Sequence, residues 1–117
     1  MSEDIIRAND QQKKEIDLIR DIILQTVAPL QIYLFGSYAY GEPTADSDYD
    51  FYVIMPDDSD RENDVHLVIT KALLAQNAYN NAIDLLVKKR SYFEERNPLP
   101  SMERTILKKG ILLYDAG

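Results

Sequence analysis

The chain has 117 residues, of which 45% are hydrophobic and 28% are charged, and its formal net charge is −7 at pH 7. This length is typical of one globular domain, so we expect residues 1–117 to form a single domain. The lack of cysteine excludes disulfides, thiolate metal sites and cysteine catalysis. There is no signal-peptide pattern, and no apolar run approaches the roughly 20 residues that span a bilayer. The sequence therefore predicts a cytoplasmic protein without a membrane segment.

The acidic charge limits the kind of substrate. A protein that binds a DNA or RNA backbone normally presents a basic surface, because neutralised phosphates supply most of the non-specific affinity. The densest basic patch here is the short run Lys88, Lys89 and Arg90. We therefore expect no binding to a nucleic-acid backbone, whereas a small nucleotide that arrives with its own magnesium ion is compatible with the charge.

Helical and extended patterns alternate along the chain. Apolar residues at a spacing of three or four predict helices, and short β-rich runs beside glycine or proline predict strands. In chain order we expect a helix over 14–27, a strand over 31–35 and a loop with room for one helical turn over 36–47. A strand over 48–55, a turn over 56–60, a helix over 61–76 and a strand over 82–87 follow. The last elements are helical segments over 92–109 around a break at Pro98 and Pro100, and a strand over 111–114. This order predicts an α/β (α+β) fold with a small mixed sheet of about four strands flanked by helices.

Side-chain periodicity also predicts which positions are buried. The strand over 48–55 should present Phe51, Val53 and Met55 on one face. Tyr33 and Tyr52 are expected to pack in the core. The helix over 61–76 has apolar residues at helical spacing, and its predicted inward face comprises Val65, Val68, Ile69, Leu73 and Leu74.

A Gly–Ser pair, Gly36–Ser37, directly follows the strand over 31–35. Glycine lets the backbone bend tightly and approach a ligand closely, and the serine hydroxyl and the amides after it can donate to phosphate oxygens. Such pairs are more often plain turns, so this one does not identify a phosphate site by itself. The chain has no GxxxxGK[ST] sequence, which excludes a P-loop.

Two acidic residues, Asp48 and Asp50, stand at the start of the strand over 48–55. Residues two apart in a strand project to the same side, where carboxylates suit one or two Mg²⁺ ions. An isolated Asp-x-Asp is more often a solvated pair. Here, however, Asp50 leads directly into the apolar run 51–55, and a carboxylate that enters a buried strand is costly unless it is compensated.

A third acid, Asp84, interrupts the apolar strand over 82–87. It is interpreted either as the polar face of an edge strand or as part of a site. If its strand lies beside the strand that starts with Asp48 and Asp50, the three carboxylates converge. Two metal ions could then be held between them, as in enzymes that catalyse phosphoryl transfer.

Taken together, these motifs resemble the DNA polymerase β-like nucleotidyltransferase superfamily. The resemblance rests on the segment 36–41, on Ser47, Asp48, Tyr49 and Asp50, and on Asp84 within an apolar strand. The resemblance extends over nearly the whole chain. The short, single-domain form of this chain is similar to the minimal nucleotidyltransferases that are often paired with HEPN-domain toxins. The resemblance implies the polymerase β-like nucleotidyltransferase fold.

The resemblance also implies roles for the site residues. Gly36 and Ser37 would bind the triphosphate of ATP, and Asp48 and Asp50 would bind two Mg²⁺ ions. Asp84 would complete the metal site beside the acceptor and help to deprotonate the incoming hydroxyl. These three aspartates are thus the candidate catalytic residues as well as the candidate metal ligands.

The motif departs from the minimal nucleotidyltransferases at Tyr40, where those proteins often have arginine. The positive charge that contacts the triphosphate would then come from another residue. The sequence does not select among the candidates Lys88, Lys89, Arg90, Arg104 and Lys108.

Other side chains near the motifs receive a simpler interpretation. Tyr38, Tyr40 and Tyr49 flank the candidate site, and they are interpreted as residues that stack on the base or on the acceptor. His66 is the single histidine and lies in a predicted helix, so we interpret it as structural.

Three functions are compatible with these residues. The first, implied by the resemblance, is transfer of AMP from ATP to a protein side chain, a tyrosine of a partner HEPN-type toxin, with the chain acting as antitoxin. The second is modification of a small molecule, as in the aminoglycoside nucleotidyltransferases. Those enzymes carry an added helical domain, for which the chain leaves no room after Gly110 unless a homo-oligomer builds the pocket. The third is a non-catalytic antitoxin, against which the three retained acids argue.

Overall fold

The computed structural model describes residues 7–77 and 81–117. Within these residues the elements follow in the order α1 (Asp10–Thr26), β1 (Gln31–Phe35), α2 (Ser37–Tyr40), β2 (Tyr49–Met55), α3 (Glu62–Gln76), β3 (Ile83–Lys89), α4 (Arg90–Arg96), α5 (Met102–Lys109) and β4 (Ile111–Asp115). The predicted elements are confirmed, with small shifts at their ends. Helix α1 begins earlier than its apolar spacing indicates, because Asn9 and Gln12 form a capping box.

The four strands form one mixed sheet in the order β3-β2-β1-β4. Strand β1 is antiparallel to both β2 and β4, whereas β2 is parallel to β3. A parallel pair needs a crossover connection, and α3 supplies it. The predicted α/β (α+β) class with a small mixed sheet and flanking helices is therefore confirmed.

One face of the sheet packs against α1 and α3. Phe51, Val53 and Met55 of β2 lie on this face, as their alternation predicts. They form one hydrophobic cluster with buried isoleucines of the two helices, which include Ile16, Ile19, Ile23 and Ile69. Burial of this cluster holds α1 and the crossover helix against the sheet.

The opposite face packs against α4 and α5. Tyr33, Tyr52 and Ile54 form a second cluster with Phe93 of α4 and Ile106 of α5. The ring of Phe93 stacks on Tyr33 at 6.2 Å and meets Tyr52 edge-on at 5.5 Å, both between centroids. The prediction that Tyr33 and Tyr52 pack in the core is confirmed, and β2 is covered on both faces.

The predicted inward face of α3 is wrong at two positions. Val65, Ile69 and Leu73 are buried, but Val68 is 45% exposed and Leu74 is 67% exposed. The buried residues follow one another at a spacing of four and form a narrow stripe. Around the helix axis Val68 lies about 100° and Leu74 about 140° from the centre of this stripe, so both face outward.

No helix in the described ranges is long and apolar enough to cross a membrane.

A buried carboxylate organises the second cluster. Glu103 of α5 is 4% exposed and accepts hydrogen bonds from the Tyr52 hydroxyl at 2.9 Å and from Arg96 Nε at 3.1 Å. Burial by itself raises the pKa of Glu103. The hydrogen bonds from Tyr52, from the backbone and from Arg96 outweigh it, so the pKa lies below its ordinary value. The ionised Glu103 therefore joins α5 to β2 at neutral pH.

We predict that Glu103→Ala lowers the free energy of unfolding by about 2 kcal/mol, because it leaves the buried Tyr52 hydroxyl without its partner. Since folding lowers the pKa of Glu103, its contribution is complete at neutral pH and is lost as the pH falls through the folded-state pKa. Urea denaturation near pH 7 and again near pH 4 should show a smaller difference between wild type and variant at the lower pH.

Tyr52→Phe is the matched control for this prediction. It removes one hydrogen bond and leaves Glu103 paired with Arg96, so the expected loss is about 1 kcal/mol. Equal losses for the two variants, or a loss for Glu103→Ala that does not change with pH, would contradict the role assigned to the carboxylate.

Candidate active site

The Gly–Ser turn and the acidic residues lie at one end of the sheet. Gly36 directly follows β1, whose last residue, Phe35, is paired with Asp50 near the start of β2. The parallel register then places Asp50 beside Asp84 near the start of β3. Three neighbouring strands therefore bring Gly36, Asp50 and Asp84 together, although these residues are far apart in the chain.

Asp50 is held among like charges. Burial, followed by the negative charges of Asp84 and Asp48 and by a hydrogen bond with Asp84, raises the pKa of Asp50 to about 6. Folding thus keeps these carboxylates close at an electrostatic cost. A bound cation would relieve that cost, because an opposite charge favours the ionised carboxylate.

Asp48 and Asp84 are both exposed at the rim of this arrangement, and Asp50 is half-buried. Among residues 7–77 and 81–117, no three acidic or histidine side chains stand close enough to enclose a metal ion by themselves. Mg²⁺ usually takes only one or two carboxylates and completes its coordination with phosphate oxygens and water. Asp50 with one neighbouring carboxylate therefore has the ligand chemistry that a Mg²⁺ ion arriving with a nucleotide would require.

Gly36 is in direct contact with this carboxylate cluster. Its backbone has φ 72° and ψ −148°, a conformation that is essentially restricted to glycine. A Cβ atom at this position would overlap Asp50 Oδ2 and would lie 3.0 Å from Asp50 Cγ. Glycine is therefore required both by the turn and by the space that Asp50 occupies.

Ser37 begins the short helix α2. The carbonyl of Gly36 accepts hydrogen bonds from the amides of Ala39 and Tyr40, both at 3.0 Å, and so closes the turn. In the part of the chain that the structure describes, the Ser37 hydroxyl makes no hydrogen bond. It is thus available to donate to a phosphate oxygen beside the Asp50 carboxylate.

Two of the three tyrosines expected to stack on a substrate are core residues instead. Tyr38 is 1% exposed and Tyr49 is 0% exposed, and their ring centroids lie 5.0 Å apart. The expectation is wrong for both, because both rings pack in the hydrophobic cluster that α1 covers, and Tyr49 points to the face opposite Asp50. Tyr40 is partly buried and packs against both hydrophobic clusters.

The sequence analysis missed Glu15, a buried acid that supports the site from behind. Glu15 is 3% exposed and accepts a 2.6 Å hydrogen bond from the hydroxyl of Tyr49, which lies between Asp48 and Asp50. A signal was present in the sequence: Glu15 precedes Ile19 and Ile23 by four and eight residues and so belongs to the apolar stripe of α1.

Two of the five basic residues suggested by the sequence are clearly remote from the acidic cluster. Lys88 and Lys89 are at the opposite end of β3 from Asp84, about 13 Å or more along the strand. The Nζ atom of Lys89 already binds the carbonyls of Asp57 and Ser59, each at 3.0 Å. His66 has a structural role, since its Nε2 atom is 3.0 Å from the carbonyl oxygen of Leu85.

Arg7, which the sequence analysis did not consider, contacts the turn segment directly. Its amide donates to the Tyr38 carbonyl at 2.8 Å, and its Nη1 atom donates to the Gly41 carbonyl at 3.3 Å. Arg7 therefore places a positive charge beside α2, next to the position where Tyr40 replaces the arginine of the resembled family.

We predict that Asp50→Asn raises the melting temperature near neutral pH when no divalent cation is present, because it removes a half-buried charge that faces two others. Folding raises the pKa of Asp50 from 3.8 to about 6, so the contribution of Asp50 to the free energy of unfolding is most favourable below pH 3.8. That contribution declines as the pH rises through about 6. Thermal denaturation across this range should show the decline in wild type and not in the variant.

Asp46→Asn is the control for this measurement. Asp46 is an exposed carboxylate in the loop that precedes β2, and its replacement should leave the melting temperature and its pH dependence nearly unchanged. A lower melting temperature for Asp50→Asn at neutral pH would show that Asp50 stabilises the fold and would overturn the electrostatic interpretation.

Comparison with known proteins agrees with this geometry. The profile of the nucleotidyltransferase domain family matches residues 16–113, which include the Gly–Ser turn and all three candidate aspartates. No curated protein matches the chain at a significant level.

Two solved structures have a similar fold. One is a crystal structure of a candidate nucleotidyltransferase from Sulfolobus solfataricus, with a TM-score of 0.60 and 17% sequence identity over 91% of this chain and 84% of that chain. The other is described as a toxin–antitoxin with AMP-PNP, with a TM-score of 0.53 and 20% identity over 92% of this chain and 75% of that chain. At these identities the likeness concerns the fold alone. The family profile, however, spans most of the sequence, and the chain belongs to the nucleotidyltransferase domain family.

Proposed function

We propose that the protein transfers AMP from ATP to a hydroxyl group of a partner protein, a tyrosine of a HEPN-type toxin, and thereby acts as an antitoxin. The observation that carries this proposal is the contact between Gly36 and Asp50, with Asp84 beside Asp50 in the parallel register. A turn suited to phosphate and a cluster of acids suited to Mg²⁺ thus share one end of the sheet.

Each residue of the candidate site would have a distinct role. The backbone at Gly36 and the Ser37 hydroxyl bind the triphosphate, and Asp48, Asp50 and Asp84 hold Mg²⁺. Bound Mg²⁺ supplies stabilisation of the negative charge that develops on the phosphates and on the leaving pyrophosphate. Arg7 adds a positive charge at the other end of α2.

The acceptor oxygen attacks the α-phosphorus of ATP and forms a new phosphoester bond. The bond between the α-phosphorus and the bridging oxygen breaks, and pyrophosphate leaves with the electron pair. The proton of the acceptor hydroxyl passes to Asp84, whose exposed position on an edge strand leaves it accessible to a second molecule. The products are the AMP ester of the acceptor and pyrophosphate.

A groove beside Asp84 supports an aromatic acceptor. It lies between α3 and the edge strand β3, has a volume of about 390 Å³, and is lined by apolar side chains next to Asp84. These apolar residues are Leu73, Leu74, Ala82, Ile83 and Leu85. A tyrosine needs an apolar wall for its ring and a base for its hydroxyl. The groove provides the wall on the α3 side of the edge strand, and Asp84, whose carboxylate faces Asp50 on the other side of that strand, borders it.

The residues that line the groove also discriminate between two possible acceptors, a protein tyrosine and a small antibiotic. The groove has three polar lining residues, His66, Thr70 and Asp84, and His66 is already engaged with the Leu85 carbonyl, so its mainly apolar lining favours an aromatic ring over a small antibiotic rich in hydroxyls. The structural neighbour described as a toxin–antitoxin with AMP-PNP supports both a toxin partner and an ATP-like donor.

The central test of the proposal is transfer from ATP labelled at the α-phosphate to a HEPN-type protein in the presence of Mg²⁺. We expect label on a tyrosine of that protein and none when ATP is labelled at the γ-phosphate. Asp50→Asn and Asp48→Asn should lower the rate by more than about 100-fold, because each removes a carboxylate from the charge-stabilising site. Mass spectrometry of the modified peptide identifies the acceptor residue.

Calorimetric titration with AMP-PNP separates binding from transfer. We expect wild-type binding to need Mg²⁺ and to be lost in Asp50→Asn, with Asp46→Asn as the exposed-acid control. Binding without transfer to any HEPN-type protein would favour an antitoxin that acts by contact alone. Transfer of the γ-label would show a phosphoryl transferase and would contradict AMP transfer.

We predict that Leu74→Asp slows transfer to a protein acceptor by about tenfold or more, because a charge in the groove opposes burial of an aromatic ring. The affinity for AMP-PNP should not change, since the groove lies on the acceptor side of Asp84. Steady-state kinetics with varied acceptor concentration measures the first effect, and calorimetry measures the second.

Leu67→Asp provides the matched control. Leu67 is also an exposed leucine of α3, at 51%, but it does not line the groove. Equal losses for Leu67→Asp and Leu74→Asp would contradict a specific role for the groove in seating the acceptor.

A further inference from the structure

We propose that Asn81 is a positioning residue that fixes the loop before Asp48 against the strand that carries Asp84. This inference rests on the proposed function, because it assigns Asn81 a role in the assembly of the acidic site. Asn81 itself would touch neither the metal nor the nucleotide. Its side-chain amide would determine where Asp48 stands relative to the other two carboxylates.

The geometry begins with one amide nitrogen and three oxygen acceptors. Asn81 Nδ2 lies 2.9 Å from the Ser47 carbonyl, 3.2 Å from the Ala45 carbonyl and 3.1 Å from the Tyr38 hydroxyl. An amide NH₂ group carries two hydrogens, so these acceptors share both of them. The donor capacity of this nitrogen is therefore fully used within the protein.

These acceptors belong to the segments that carry the candidate site. Ser47 immediately precedes Asp48, and Tyr38 immediately follows the Gly36–Ser37 turn. Asn81 stands three residues before Asp84, and the next residue, Ala82, accepts a 2.9 Å hydrogen bond from the Tyr49 amide. One side chain thus connects the phosphate turn, the loop before Asp48 and the strand of Asp84.

Within residues 7–77 and 81–117, few other contacts hold this loop against the rest of the protein. None of the residues 42–48 is buried, so apolar packing does not fix their position. Apart from the contacts to Asn81, the described bonds of the loop lie mainly within it, between Thr44 and Ser47: amide to Oγ at 2.8 Å, Ser47 amide to Thr44 carbonyl at 3.1 Å, and hydroxyl to hydroxyl at 3.3 Å. One further bond, from the Tyr38 hydroxyl to the Thr44 carbonyl at 3.4 Å, joins the loop to α2. Loss of the Asn81 amide should therefore release Asp48 without opening the core.

A displaced Asp48 would change the properties of the site rather than the stability of the fold. Asp48 is exposed, yet its charge acts on Asp50, so the distance between them matters for any cation bound there. Partners that orient metal ligands typically change metal affinity by about 10–100-fold when they are removed. Asn81 stands in this relation to Asp48 through the Ser47 carbonyl.

The test compares Asn81→Leu, which has a similar volume and no donor, with Asn81→Gln, which keeps the amide donors on a longer side chain. Gln12→Ala is the matched control, because Gln12 Nε2 also contacts the Tyr38 hydroxyl, at 3.3 Å, but touches neither the loop nor β3. The primary readout is Mn²⁺ affinity by electron paramagnetic resonance with AMP-PNP present. Melting temperature is recorded for each variant, and kcat and KM for ATP are measured where transfer is observed.

We expect Asn81→Leu to weaken Mn²⁺ binding by about 10–100-fold, with a smaller effect for Asn81→Gln and none for Gln12→Ala. The expected kinetic signature is a lower kcat and a higher requirement for divalent cation, at a melting temperature close to that of wild type. Unchanged Mn²⁺ affinity in Asn81→Leu would overturn the inference, as would an equal loss of affinity in Gln12→Ala.

The same experiment separates failure of this inference from failure of the proposed function. If wild type binds neither Mn²⁺ nor AMP-PNP, the metal-dependent function is wrong and the role of Asn81 falls with it. If wild type binds both and the Asn81 variants bind them equally well, the site stands and only the positioning role is wrong.

Discussion

The parallel pairing of β2 with β3 places Asp50 directly beside Asp84, and the other features of the candidate site follow from this register. Two like charges in adjacent strands repel each other, and burial at the edge of the core strengthens the repulsion. The Gly36 turn closes over Asp50 on the β1 side, so the carboxylate has little room to move away. The sheet therefore holds together charges that would separate in an unfolded chain.

Such an arrangement needs a rigid support, and β2 receives one on each face. Tyr49 donates its hydroxyl hydrogen bond to Glu15 of α1, while Tyr52 donates to Glu103 of α5. The two tyrosines flank Asp50 in the chain and point to opposite sides of the sheet. Each buried carboxylate is satisfied by its hydrogen bonds, so it contributes to the fold without leaving an unpaired charge in the core.

The acidic residues of this protein fall into two groups, which differ in whether their carboxylates are paired with hydrogen-bond donors. Glu15 and Glu103 are buried and bonded, whereas Asp48, Asp50 and Asp84 gather at the rim of the sheet with their charges largely uncompensated. Proteins commonly accept lower stability at a site that must bind a charged ligand. In the proposed function that ligand is a nucleotide with its metal, which agrees with membership of the nucleotidyltransferase domain family. The acidic net charge of the chain disfavours binding to a nucleic-acid backbone.

The sequence by itself determined the order of helices and strands, the turn at Gly36 and the alternation of β2, because propensity, periodicity and glycine geometry act over a few neighbouring residues. It also supplied Asp48, Asp50 and Asp84 as candidates. Only the tertiary structure decided that Asp50 is paired with Asp84, that Tyr38 and Tyr49 are buried, and that Val68 and Leu74 face outward. These features depend on strand register and on which helix covers which face, and contacts between distant segments determine both, so local patterns do not specify them.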